Sequence, residues 1–151
     1  MALAMPVKYG PAQLEDAPLP AAVRRLLERL ASETGLRTDL EVTGDPLLAA
    51  TAVDVAVLRL VQGALANVRQ HALATRVVVS LSYAPDELLV DVVDDGSGFD
   101  PAATPQSTDA GGFGLRAMRE RLAALGGTLG VESAPGEGTA VAASVPLGGG
   151  A

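Results

Sequence analysis

The chain has no cysteine and no tryptophan, one histidine (His71) and one lysine (Lys8) among 151 residues. Without thiols there is neither a disulfide scaffold nor a thiolate metal site, and the composition fits a reducing compartment. Aromatic residues make up only 3%, so a core must be built from Val, Leu and Ala. Positive charge is also scarce. The formal net charge of −7 argues against a nucleic-acid partner, which needs a basic footprint. No apolar run reads as long enough to span a bilayer, and the start lacks a signal-peptide pattern. A cytoplasmic location with no direct membrane contact is therefore expected of this domain.

What is present is apolar and patterned. Hydrophobic residues make up 48%, which favours a globular fold over disorder. The length suits one domain. Residues 1–12 read as a leader, 13–147 as the domain and 148–151 as a frayed tail. Val23, Leu26, Leu27 and Leu30 follow helical spacing after Pro18 and Pro20, with Gly35 as a C-cap. A strand is expected near residues 36–42, ended by Gly44-Asp45-Pro46. A long helix is expected over about 53–72, with Val57, Leu60, Val61, Ala64, Leu65 and Val68 on one side. Its other side carries Arg59, Gly63, Asn67 and Gln70. Val77, Val79, Leu81 and Tyr83 alternate along one strand, and a hairpin turn at Pro85-Asp86 leads to the next. A helix over about 114–125 and strands over 128–133 and 139–146 complete the order. Tight turns between neighbouring strands imply an α+β, two-layer α/β sandwich, with a mixed, mainly antiparallel sheet and helices on one face.

Two glycine boxes carry the chemistry. DDGSGFD runs from Asp94 to Asp100 after an apolar strand. A strand ending Asp-x-Gly-x-Gly can aim a carboxylate into a pocket while the glycines turn the chain beneath a ligand. An ionised Asp only accepts hydrogen bonds, which suits an exocyclic amine such as that of adenine. A plain polar turn is the alternative. A calcium loop is excluded because Val93 and Ala102 occupy ligand positions. The second box, GGFGLRAMRERL, runs from Gly111 to Leu122 and opens an amphipathic helix, whose free N–H groups and dipole favour phosphate. Gly112-x-Gly114-x-x-Ala117 also fits a dinucleotide fingerprint, but a polar loop precedes it where a buried strand is required. Upstream, Asn67 offers an amide oxygen suited to magnesium, although a lone helical Asn is more often a solvated polar residue. Gly63, Gln70 and His71 lie within one turn of it.

In this order the segments resemble the ATP-binding catalytic domain of bacterial two-component sensor histidine kinases, of the superfamily shared with gyrase, MutL and a heat-shock chaperone. VQGALANVRQHA resembles the N box, VVDDGSGFD the G1 box, GGFGLRAMRERLAALGG the G2 box and GEGTAVAASVP the closing Gly-Thr strand. The likeness runs from about Leu14 to Leu147. LRAMRERLAALGG is closest to the subfamily paired with DNA-binding response regulators. The resemblance implies ATP and Mg2+ as cofactors, with Asn67 as the metal ligand. It places Asp94 on the adenine amine, with Gly96, Gly98, Phe99 and Thr139 around the base. Gly112, Phe113, Gly114 and Leu115 would bracket the phosphates, with Gln70 and His71 on the N-box side. Residues 101–111 would form a lid. The partners implied are the protein's own dimerisation and phosphoacceptor domain and a cognate response regulator.

The match departs from the family in three places. Gly63 stands where the N box usually carries a Glu that orients or deprotonates the attacking group, so weak intrinsic hydrolysis is expected. Gln70 replaces a common Lys or Arg, with Arg69 one position earlier. His71 does not match a phosphoacceptor histidine. A non-catalytic nucleotide-binding or interaction module and an anti-sigma-factor serine kinase remain open alternatives.

Overall fold

The computed structural model describes residues 17–46, 49–71, 73–98 and 114–148. Helix α1, Pro18–Thr34, starts with prolines at its first and third positions, where a missing N–H is harmless. Leu19, Val23, Leu27 and Leu30 form its buried stripe. It ends as the sequence predicts: Gly35 takes a left-handed φ of 80° and its N–H reaches Ala31 O at 2.8 Å. Strand β1, Arg37–Thr43, leads to helix α2, Thr51–His71. The hairpin of β2, Arg76–Tyr83, and β3, Glu87–Asp94, follows. After it come helix α3, Leu115–Ala123, and the hairpin of β4, Thr128–Ser133, and β5, Thr139–Pro146.

The five strands are ordered β1-β2-β3-β5-β4. β1 pairs with β2 in parallel because α2 carries the chain back across the sheet between them, and the other three pairings are antiparallel. The period-2 pattern is followed closely: Val77, Val79, Leu81 and Tyr83 are buried, as are Leu88, Val90, Val92 and Asp94. The register places Val79 beside Val92, and Val92 beside Val141. One continuous apolar face results, and the helices cover it. The other face holds mainly exposed or half-buried positions, with Leu89 and Val93 standing out as exposed apolar residues.

Helix α2 differs from one expectation. Residues 51–70 are, by length and composition, apolar enough to cross a membrane. Their apolar side instead packs in the core: Val57, Leu60, Val61, Ala64, Leu65 and Val68 are all buried there. A helix lying between a sheet and two other helices has apolar residues over a wide arc, so it passes the same test as a membrane span. Helix α3 is shorter than its periodicity suggests and closes with a turn through Gly126 and Gly127.

The topology sets up two distinct poles. At one pole lie the ends of β3 and β4, the starts of β2 and β5, the C-terminal end of α2 and the N-terminal end of α3. The candidate site residues that the structure describes fall at this pole.

Candidate functional site

Asp94 ends β3 and faces the helix-covered side, opposite Thr139 of β5 and in line with Val77 of β2. It is the one buried charged residue among the described residues, only 8% exposed. Burial pushes its carboxyl above the usual range, the Gly96 N–H pulls it back, the charge of Asp95 raises it and the Thr139 N–H lowers it. The Gly96 N–H lies 2.8 Å from Oδ1. Held by backbone donors, the buried carboxyl keeps lone pairs that can accept from a ligand.

Two glycines make that placement possible. Gly98, at φ 66°, passes so close to the β4–β5 hairpin that a Cβ would lie 2.2 Å from Ala134 O. Gly138, at φ 76°, approaches the β3 terminus so closely that a Cβ would lie 2.3 Å from Asp94 O. The Gly136 N–H donates to Ser97 O and binds the two segments together. The Gly-x-Gly turn after β3 and the Gly-x-Gly-Thr turn before β5 are therefore two halves of one interlocked structure. Each excludes side chains from the other.

Asn67 lies one turn before the end of α2, above the same pole. Its Oδ1 is buried and has no hydrogen-bond partner among the described residues. A buried amide oxygen without a donor calls for an explanation, since such groups are almost always satisfied. Gly63, one turn earlier, is half-buried, and Gln70 is exposed. Arg69, the nearest cation in sequence, is engaged elsewhere: its guanidinium pairs with Glu33 of α1 at 2.5 Å, both side chains about half exposed. His71 ends the helix.

Gly114 precedes α3 at φ 65°, with no side-chain cap, and its carbonyl accepts from the Met118 N–H at 2.7 Å. Leu115, half-buried, packs against the core, and Met118 and Leu122 anchor the helix. The N-terminus of α3 thus carries uncapped N–H groups at the pole where Asp94 and Asn67 lie. Phe99, Gly112, Phe113 and the lid segment 101–111 lie outside the described residues, as does the leader 1–12.

Reasoning from sequence missed two supporting groups. Asp95 accepts from the Thr75 N–H at 2.8 Å, the Thr75 hydroxyl at 2.6 Å and the Arg76 N–H at 3.0 Å. The Thr75 hydroxyl, followed by the Arg76 and Thr75 N–H groups, holds this fully exposed carboxyl down at about 2. Asp95 thereby ties the segment between α2 and β2 to the turn below Asp94. Ser133, the last residue of β4, sits opposite Thr139, and its hydroxyl contacts both Gly138 O and the Thr139 hydroxyl at 2.9 Å. Counting back across the five-residue turn 134–138 would have paired these two positions. No count would have found the grip of Asp95.

Residues 52–149 match the family model described as "Histidine kinase-, DNA gyrase B-, and HSP90-like ATPase". The histidine-protein kinase/phosphatase DegS of Brevibacillus brevis is 32% identical over 134 residues, covering 89% of this chain and 34% of DegS. The kinase/phosphatase UhpB of Salmonella typhimurium is 36% identical over 140 residues, covering 92% of this chain and 27% of UhpB. The chain thus spans roughly a third or less of these relatives. The histidine kinase domain of the blue-light activated histidine kinase EL346 of Erythrobacter litoralis superposes with a TM-score of 0.58 at 26% identity, over 86% of this chain and 61% of that one. The mycobacterial sensor histidine kinase MprB shares the fold with a TM-score of 0.62 at 23% identity, over 83% of this chain and 92% of that one.

Proposed function

Since the chain belongs to the histidine kinase-, DNA gyrase B- and HSP90-like ATPase family, we propose that it is the Mg-ATP-binding domain of a sensor histidine kinase. Its γ-phosphate would pass to a histidine on a separate dimerisation domain and then to a response regulator. In this reading residues 13–147 form a cytoplasmic catalytic domain. One observation supports it above the others: the orphaned, buried Oδ1 of Asn67 lies at the pole where Asp94 is buried and α3 begins.

The residues fit the metal. A hard amide oxygen without a donor is a suitable magnesium ligand. The C-terminal end of α2 favours positive charge, while the N-terminus of α3 favours phosphate. When bound, Mg2+ would neutralise phosphate charge. Asp94 would accept from the exocyclic amine of the base, with Gly96, Gly98, Phe99 and Thr139 around it. Gly112, Phe113, Gly114 and Leu115 would hold the phosphates, with Gln70 and His71 beside Asn67. Phosphoryl transfer depends mainly on positioning and charge stabilisation, so binding does not require a base at residue 63.

Calorimetry with Mg-ADP and Mg-ATP is the direct test. Binding is expected, and no heat at millimolar nucleotide would refute the reading. Gly63→Glu restores a carboxylate one turn before Asn67 and is expected to raise the slow hydrolysis rate about a hundredfold or more, the usual range for a positioned base. Unchanged hydrolysis with intact binding would favour a second reading, a non-catalytic nucleotide-binding module. Two observations point that way: Gly63 offers no proton acceptor, and Arg69 is committed to Glu33.

A further inference from the structure

The row Asp94, Thr139, Ser133 runs across three strands on the helix-covered side of the sheet. Its hydrogen atoms can be assigned. The carbonyl of Gly138 can only accept, so the single proton of the Ser133 hydroxyl goes to it, at 2.9 Å. The 2.9 Å contact between the Ser133 and Thr139 hydroxyls then has one polarity left: Thr139 donates and Ser133 accepts. The Thr139 hydroxyl, its proton engaged, offers only lone pairs to anything else. Its neighbour across the β3–β5 pair is the Asp94 carboxylate, which also only accepts and is held by the Gly96 N–H.

We propose that Ser133 is a positioning residue of the base pocket. By taking the Thr139 proton it makes Asp94 and Thr139 a pair of acceptors, which selects a purine bearing a 6-amino group over one bearing a 6-oxo group. The inference rests on the nucleotide reading above. A 6-amino group has two N–H bonds to give to two acceptors. A 6-oxo purine places an oxygen against them and has only its ring N1–H to give, so one of the two acceptors, buried Asp94 or half-buried Thr139, goes unmet, and that lost hydrogen bond is what discriminates. Ser133 touches no ligand in this account; it acts by fixing which way one hydroxyl points.

Equilibrium binding of Mg-ADP and Mg-IDP to the full chain tests this. The wild-type protein is expected to prefer ADP. Ser133→Ala releases the Thr139 proton to turn towards a 6-oxo oxygen, so the ADP/IDP preference should narrow about tenfold, the worth of one hydrogen bond. Ser133→Thr keeps a hydroxyl on the strand and should keep the preference. With Thr139→Val as background, Ser133→Ala should have no further effect on the ratio, an outcome that a general loosening of the hairpin would not produce. Should Ser133→Ala fail to fold by thermal melt, Ser133→Cys, a weak donor of similar shape, is expected to narrow the ratio as well. An unchanged ratio in Ser133→Ala, or in Ser133→Cys where that is the folded variant, overturns the inference and leaves the nucleotide reading standing. Equal binding of ADP and IDP by the wild-type protein does the same. Binding of neither nucleotide overturns both.

Discussion

At one end of the sheet Asp94 is held by backbone N–H groups; at the other, Asp54 and Tyr83 share a corner without them. Asp54 lies in the first turn of α2, and Tyr83 ends β2 at the pole opposite the candidate site. The Asp54 Oδ1 and the Tyr83 hydroxyl are buried with no hydrogen-bond partner among the described residues. Burial raises the Asp54 carboxyl, and burial followed by the charge of Asp54 raises the Tyr83 phenol. Both ends therefore disfavour a charged group by desolvation, and only the Asp94 end opposes this with donors. The difference separates a buried carboxyl whose charged form is supported by backbone donors from a half-buried one at an element's edge that no such donor supports.

The sharpest way to break this comparison is through the backbone. Gly138→Ala must place a methyl group against Asp94 O at a left-handed φ, whereas Gly35→Ala meets open space at a similar φ of 80°. Chemical denaturation is expected to show a loss of about 3 kcal/mol for Gly138→Ala and about 1 kcal/mol for Gly35→Ala. Equal losses would mean that the two glycine turns are not interlocked.

Next comes the carboxylate itself. Asp94→Asn should weaken Mg-ADP binding by about 10- to 100-fold, the range for a hydrogen bond to a charged group, and Asp54→Asn should leave binding unchanged. Calorimetry at several pH values extends the test. Because the Asp94 carboxyl is raised, ADP affinity should start to fall at a higher pH on acidification than for an ordinary aspartate.

Stability against pH separates the two ends by sign. Asp95 is depressed in the folded state, to about 2 from a usual 3.8, so its contribution is present above about pH 4 and is lost as pH falls towards 2. Asp95→Asn should flatten that acid limb in a series of thermal melts. Asp54 is raised, so its contribution is full below its unfolded value and is lost as pH rises through the folded one. Asp54→Asn should therefore stabilise the protein at pH 7 relative to pH 3. Matching slopes for the two variants would contradict the contrast. The smallest effect is expected for Tyr83→Phe, which removes a buried hydroxyl without a partner and should raise stability by about 0.5–1 kcal/mol. A loss of that size would reveal a hydrogen bond at the corner.

Much of this architecture was legible beforehand. The alternation in β2 and β3, the buried stripe of α2 and the capping Gly35 are local signals, and the structure follows them within a residue or two. The parallel pairing of β1 with β2 is not a local signal. It depends on α2 crossing the sheet, and strand-by-strand patterning only indicates that β1 exists. The site divides along the same line. Asp94, Asn67, Gly98 and Thr139 stand out by residue type and spacing. Arg69, close to Asn67 in sequence, is drawn to Glu33 on another helix.

By itself the sequence determined the elements, the buried face of each and the residue types brought to the candidate site, because helix and strand periodicities are carried by neighbours along the chain. Only the tertiary structure decided which polar groups are satisfied. Asp95 finds its donors about 20 residues away in Thr75 and Arg76. The Ser133 hydroxyl meets that of Thr139 across a strand pair. Asn67 keeps a buried oxygen for which the described chain supplies no donor. Hydrogen bonds and burial depend on distance in space, and these pairs become neighbours only when the two poles of the sheet are assembled.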